Sequence, residues 1–457
     1  MMSTKIQELV KVSNHMFKRD YYLNELISRK GNHLVKVITG VRRSGKSFLL
    51  NNIFLDYLKK DNVDNEHIIQ FAFDSEEDVL LLEKYYENEP TVVTINKEER
   101  INSKKFLSYV KDRVVDDGTY YFLLDEIQKL DRFVPVLNGL LRHNNYDIYV
   151  TGSNAKLLSK DIDTEFSNRG SRIHLLPLAF SEYLTGVDKS KEEALQDYFV
   201  YGGIPLVQSE SNHIGKANMA NSILKETYIK DILLRHPLVD SNKLLETLNA
   251  IASMISTPVN PTKIEKTFES IYGIKLTNDT IGNYITWFED SYLINRVNRY
   301  DVKGRGYIGS PYKIYFEDIG IRNAALNYRE IDETDLIENV VYNELRYRGF
   351  SIDVGIVYIN EPSGRKDKEG KEIYIEKALE VDFVANKGGK TYYVQVALEI
   401  SDTSKKDQEY KSIRSIPDSF KKIIIVKNDL IAHQITTEGF LRMSLLEFLT
   451  NPGSLEL

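Results

Sequence analysis

The chain has 457 residues, 42% of them hydrophobic and 28% charged, with a formal charge of −7 and no cysteine. The length excludes a single core and suggests about three domains, and the missing thiols exclude disulfides, thiol catalysis and cysteine-held zinc. The acidic balance argues against general coating of polyanions, although a local basic patch is still compatible with nucleic acid. No stretch approaches the ~18 apolar residues of a membrane span. The start, Met1-Met2-Ser3-Thr4-Lys5, has no apolar signal core, so a cytoplasmic protein without membrane contact is expected. The eight histidines show no close pair at metal spacing, which leaves nucleotide-borne magnesium as the only metal expected.

The apolar run 34–39 predicts a buried strand. It leads into Gly40-Val41-Arg42-Arg43-Ser44-Gly45-Lys46-Ser47, which fits G-x-x-x-x-G-K-[ST], and then into Phe48, Leu49, Leu50, Ile53, Phe54, Tyr57 and Leu58 at helical spacing. A strand, a glycine loop and a helix in that order form a cradle for a chain of phosphates, because loop N–H groups and the positive end of the helix face the same point. Gly40 and Gly45 permit the loop's backbone angles. Lys46 is expected on the β- and γ-phosphates and the Ser47 hydroxyl on magnesium. The expected nucleotide-binding set is therefore Gly40, Arg42, Arg43, Ser44, Gly45, Lys46, Ser47 and Phe48.

A second strand is predicted over 68–73, followed by an acidic insert, 74–99, that lacks apolar periodicity and belongs on the surface. The run 119–124 ends in Asp125-Glu126, the form of a buried strand that delivers two carboxylates at its carboxyl end. Asp125 suits magnesium, and Glu126 suits general-base work on the water that attacks the γ-phosphate. Next, 146–150 predicts a strand ending in Thr151-Gly152-Ser153-Asn154, where Ser153 or Asn154 is either a γ-phosphate sensor or an ordinary helix cap. A fifth strand is predicted over 172–176. Ligands in such sheets collect at the carboxyl ends of the strands, and Gly40, Asp125 and Ser153 all fall there. Residues 1–195 are thus read as a three-layer α/β domain.

From 196 to 330 the pattern is one of short helices, over 244–255, 264–271 and 277–293 with a break at Gly273. A hairpin pattern follows over 294–316, around Lys303-Gly304-Arg305-Gly306. This is the outline of a winged helix. Arg296, Arg299, Lys303, Arg305 and Lys313 stand in the hairpin against a single acid, Asp301. Such a wing suits double-stranded DNA, or else the unit only packs domains together or touches the nucleotide of a neighbour, since Asp279, Glu289 and Asp290 in the last helix oppose phosphate contact. From 331 to 457 a helix over 336–348 precedes strands over 379–385 and 391–398 about the turn Asn386-Lys387-Gly388-Gly389. Asp382 and Gln395 are expected to face each other there and, with Glu338, to form an oxygen-rich cluster like that of a metal-dependent nuclease.

The chain resembles the prokaryotic AAA+ ATPases of the archaeal-type ATPase superfamily. The resemblance covers nearly the whole length and rests on Ile38-Thr39-Gly40 through Ser47, Leu123-Leu124-Asp125-Glu126-Ile127-Gln128, Val150-Thr151-Gly152-Ser153-Asn154, Leu176-Pro177-Leu178-Ala179-Phe180 and Tyr201-Gly202-Gly203-Ile204-Pro205. It continues through Lys313-Ile314-Tyr315-Phe316-Glu317-Asp318-Ile319-Gly320 and Glu338-Asn339-Val340-Val341-Tyr342. It implies a P-loop NTPase core of the AAA+/ASCE kind, a helical winged-helix domain and a restriction-endonuclease-like α/β domain, divided as 1–195, 196–330 and 331–457. It further implies ATP and Mg2+ as ligands, Glu126 as base, Ser153 or Asn154 as sensor, and Arg169 as a finger toward a neighbouring subunit or a sensor in its own. Double-stranded DNA, which the basic hairpin suits, or a protein is expected as the partner, and a finger arginine would require a neighbouring subunit, hence a homo-oligomer. The nuclease pattern departs at Ala397, where lysine is wanted. Lys377 lies on a neighbouring strand, but the simpler expectation is a retired nuclease fold that serves binding or assembly.

Overall fold

A computed structural model of the chain describes residues 17–95, 98–152, 169–273, 275–329, 333–400 and 403–457. Two compact units emerge: Phe17–Leu176 together with Asp290–Tyr292, and Pro177–Glu289 together with Leu293–Leu457.

The first unit is built on five parallel strands, β1 (Val35–Gly40), β2 (Ile68–Ala72), β5 (Tyr120–Asp125), β6 (Tyr146–Thr151) and β7 (Gly170–Leu175), in the order β2-β5-β6-β1-β7. Every residue of β1 and β5 is buried, as expected for parallel strands covered on both faces. One face carries an aromatic cluster in which Phe71 lies 4.8 Å from Phe73, 5.3 Å from Phe106 and 5.5 Å from Tyr109, ring centre to ring centre. The order matters for the site, because β6 is inserted between the strand of the glycine loop and the strand of the paired acids. The buried pair Lys36 and Asp147, joined by the Tyr149 hydroxyl on Asp147 (2.9 Å), ties β1 to β6. A one-residue slip would separate these charges, so the pair helps to specify the register. Residues 74–99, expected as irregular surface, contain a short helix, Glu76–Leu80, and the strand β3 (Val92–Ile95), which pairs with β4 (Glu98–Ile101).

In the second unit the helices Ser241–Ala252, Pro261–Tyr272 and Asn278–Asp290 precede a hairpin of β8 (Ile294–Asp301) and β9 (Gly306–Phe316). The middle helix is bounded by local chemistry. Asn260 accepts from the Lys263 N–H (2.8 Å), Pro261 occupies the first turn, and Gly273 takes the left-handed angle at the end (φ 68°). The helix Glu333–Tyr347 then leads to β10 (Ser351–Lys366), β11 (Glu372–Lys387), β12 (Lys390–Ala397), β13 (Lys421–Val426), β14 (His433–Ile435) and β15 (Leu441–Ser444). These strands and the hairpin share one eight-stranded sheet, β14-β15-β13-β12-β11-β10-β8-β9.

The compact units divide at 176/177, and β8 pairs in parallel with β10 through Val354–Arg299, Gly355–Tyr300 and Ile356–Asp301. Other elements supply partners to the basic hairpin. Arg296 is paired with Glu289 (2.6 Å), Lys303 donates to the Tyr358 carbonyl (2.7 Å), and Lys313 is buried among carboxylates. Counting charges along a segment cannot reveal partners supplied by other elements.

Asp318 is the polar clasp of this unit. Its carboxylate is buried and accepts from the backbone N–H groups of Gly203 (2.7 Å) and Ile321 (3.0 Å), capping the helix Ile319–Ala325. Burial pushes its pKa up to about 6, against the pull of these N–H groups and those of Gly320 and Ile204. A Cβ at Gly202 would lie 2.3 Å from this carboxylate, and Gly202 has φ 70°, so glycine is required there. Asp318→Ala strands several buried donors at once and is expected to cost about 2–4 kcal/mol, measured by urea unfolding.

Candidate nucleotide site

The loop between β1 and the next helix is shaped by backbone. Gly40 has φ 133°, and a Cβ there would approach the Leu175 carbonyl oxygen to 2.1 Å, so the loop leaves β1 pressed against β7. Arg43 (φ 66°) and Gly45 (φ 93°) take left-handed angles, which turn the chain back on itself. The Ser44 hydroxyl donates to the Val41 carbonyl (2.7 Å) and braces the turn from inside. The helix then runs as Lys46–Phe48, a wider π-turn stretch Leu49–Phe54, and Leu55–Lys60. Lys46 is buried and donates to the carbonyls of Gly40 (3.1 Å) and Val41 (2.9 Å). Burial lowers its pKa to about 8, with Glu126 and Asp125 opposing the drop and Arg42 and Arg43 adding to it. Arg42 is half-buried, and Arg43, Ser47 and Phe48 are exposed.

Asp125 ends β5 and collects the polar groups of three elements. Its Oδ1 accepts from the Ser47 hydroxyl (3.1 Å) and from Thr151 Oγ1, and its Oδ2 accepts from Asn51 Nδ2 (3.3 Å). Burial raises its pKa, while the Thr151 and Ser47 hydroxyls pull it down. The Ser47 and Asp125 oxygens suit magnesium, whose neighbouring ligands at 2.0–2.1 Å stand about 2.9 Å apart. Glu126 follows in a left-handed conformation (φ 51°), with its N–H donating to Thr151 Oγ1 (3.1 Å) and its carboxylate accepting from Gln128 Nε2. Thr151 therefore touches the Asp125 carboxylate and the Glu126 backbone, an assignment the sequence reading did not make. Asn51 was also missed, although its i+4 spacing from Ser47 places both on one helix face.

Arg19 and Tyr22, in and before the helix Asp20–Ser28, support the loop. Arg19 is buried and donates to the carbonyls of Ser44 (2.8 Å) and Leu176 (2.9 Å), and Tyr22 Oη accepts from the Leu176 N–H (3.0 Å). Ser153 and Asn154 lie outside the described residues. Arg169 precedes β7 at the amino end of the sheet. Its carbonyl accepts from the Val35 N–H (2.9 Å), and its guanidinium donates to Asn138 (3.1 Å). The length of β7, roughly 17–20 Å, separates it from the loop's edge.

Residues 32–184 match the AAA-domain family, and residues 192–332 match a domain of unknown function. An uncharacterised protein of Haemophilus influenzae is 31% identical over 375 residues, which make up 81% of this chain and 88% of that one. The chain belongs to that protein's family. An uncharacterised protein of Methanocaldococcus jannaschii is 27% identical, with 73% of this chain and 71% of the relative covered. Among solved structures, the Aeropyrum pernix ORC1 protein in complex with DNA is 12% identical with a TM-score of 0.32, covering 69% of this chain and 94% of that one, a likeness too slight to support an argument. This AAA-domain protein is thus an ATP-binding P-loop protein of the AAA+ class.

Its second candidate cluster differs from expectation. Lys313 Nζ lies 2.8 Å from Glu338, 2.7 Å from Glu380 and 4.0 Å from Asp382, and Glu338 also accepts from the Tyr315 hydroxyl. Burial works against the Lys313 charge, but Glu338, Asp382 and Glu380 together hold its pKa above the usual lysine range. Burial likewise raises the carboxyls of Glu338 and Asp382. Asp382 Oδ2 accepts from the Val396 N–H (2.8 Å), and Gln395 turns its amide oxygen to Ser412 (3.2 Å). Lys377 is bound to Glu361 (3.4 Å) instead of joining the carboxylates. Alternation along β11 would have suggested Glu380 as a companion of Asp382; no local signal pointed to Lys313. Among the described residues no group of three or more His, Cys, Asp or Glu is arranged to hold a metal ion, and no helix is long and apolar enough to cross a membrane.

Proposed function

We propose that this AAA-domain protein hydrolyses ATP and uses turnover to change the grip of its second unit on DNA or on a protein. The observation that carries the reading is the convergence of Lys46, Ser47, Asp125, Glu126 and Thr151 at one sheet edge, with Ser47 Oγ 3.1 Å from Asp125 Oδ1. Lys46 binds the phosphates, Ser47 and Asp125 hold Mg2+, and Glu126 takes the proton of the attacking water. When bound, Mg2+ supplies charge neutralisation along the phosphate chain. Thr151 holds the Asp125 carboxylate and the Glu126 backbone, so loss of the γ-phosphate is felt along β6, the strand inserted between β1 and β5. Arg169 suits a neighbouring copy's site in a homo-oligomer.

The three helices with the β8–β9 hairpin support a winged-helix reading, and the Val259–Tyr312 bridge between the helical segment and the hairpin adds to it. The helix Glu333–Tyr347 against β11 and β12 supports a nuclease-like fold. Lys313 compensates the carboxylates there, which favours binding or assembly over cleavage by Glu338, Asp382 and Gln395. The test is phosphate release from intact protein with ATP and Mg2+. Turnover is expected, with loss of at least about hundredfold when the metal is chelated. Absence of turnover in the magnesium-loaded protein would leave a nucleotide-binding scaffold.

A further inference from the structure

The second unit carries an open cleft of about 360 Å3 where the β8–β9 hairpin, the start of β10, the β11–β12 turn and the loop before β13 meet. Its walls are aromatic. Tyr300 and Tyr307, paired across the hairpin, stand edge to face at 5.5 Å, and Tyr393 and Phe420 lie tilted at 6.3 Å. Two carboxylates reach into the same space. Asp353 accepts only a long bond from the Tyr307 hydroxyl (3.4 Å), while Asp418 accepts from the Tyr393 hydroxyl (2.7 Å) and the Phe420 N–H (3.1 Å). Neither has a Lys, Arg or His ion-pair partner among the described residues, whereas Glu338, Glu317, Glu344 and Asp429 each have one. Asp353 is half-buried, and burial raises its carboxyl pKa. The β10–β11 register shifts between Asp353 and Gly355, a bulge of the kind that re-aims a side chain. Arg305, exposed on the hairpin turn, stands at the rim.

Flat π-faces beside uncompensated carboxylates attract an organic cation with hydrocarbon flanks. The ring quadrupoles favour positive charge, the carboxylates give it hydrogen-bond acceptors, and the apolar stem covers the rings. A polyanion is disfavoured by the two acids. A neutral apolar ligand would leave both acids without compensation. A guanidinium fits better than a compact ammonium, because its plane stacks on tyrosine while its edge donates to a carboxylate. From this charge complementarity we propose that the cleft of Tyr300, Tyr307, Tyr393 and Phe420, with Asp353 and Asp418, captures an arginine side chain of a peptide or protein partner. This site is separate from the nucleotide site and does not depend on ATP hydrolysis.

The probe is N-acetylarginine amide added to the intact chain, read by saturation-transfer NMR and calorimetry, beside the citrulline counterpart, which has the same shape but no charge. The arginine probe is expected to bind, and citrulline to bind at least about tenfold more weakly. Asp353→Asn should weaken the arginine probe by about tenfold and Tyr307→Ala by about threefold or more. Tyr307 is 70% exposed, so its truncation leaves the fold intact and keeps the test open should Asp353→Asn disturb the bulge. Equal binding of the two probes, no binding of either, or indifference to both substitutions overturns the assignment.

Discussion

Lys46→Ala is expected to lower magnesium-ATP affinity by at least about hundredfold, close to 3 kcal/mol, in calorimetry on the folded protein. The ammonium is the one buried cation of the loop and donates to the carbonyls of Gly40 and Val41, beside the place where phosphate oxygens would sit. An alanine leaves the loop's N–H groups in place but removes the point charge. The same residue gives affinity a pH dependence. In the free protein Lys46 loses its proton with a midpoint of about 8, because burial disfavours the charge. Bound phosphate favours the charged form, so the complex holds more protons than the free protein above that midpoint. Affinity should therefore fall as pH rises through about 8, with proton uptake on binding visible in buffers of different ionisation enthalpy. Uptake that is unchanged in the alanine variant would remove Lys46 from the site.

Glu126→Gln is expected to separate binding from turnover. The amide keeps the size and the hydrogen-bond reach of the side chain but cannot take a proton, so phosphate release should fall by about 10²–10⁴-fold while ATP affinity stays within about threefold. The Glu126 N–H bond to Thr151 is a backbone contact and survives the change, which keeps Asp125 and β6 in position. Turnover that persists in this variant would assign the base elsewhere.

The corrections share one cause. The basic hairpin and the carboxylate cluster were read as separate features 20 or more residues apart, yet Lys313 of β9 is the cation of that cluster, 25 residues from Glu338. Folding buries the Lys313 charge inside the protein, and a count along the chain cannot anticipate this. For the same reason the sheet is not legible from one segment: β8 and β9 complete a sheet whose other strands lie after residue 330. Arg169 sits beside a motif in the sequence but at the far end of its strand from the loop, since direction along a strand decides which sheet edge a residue reaches.

The glycine loop, the strand before it, the helix after it and the acids at the end of β5 were all legible from local pattern, because each is encoded within about ten consecutive residues by periodicity and by the backbone freedom of Gly40 and Gly45. The partners of those groups were not. Thr151 reaches Asp125 across 26 residues, and Arg19 reaches the Leu176 carbonyl across 157. Such contacts depend on strand order and packing, which arise only when distant segments bury their apolar faces together. Chain chemistry thus names the groups that can bind phosphate, and the folded sheet decides which side chains hold them in place.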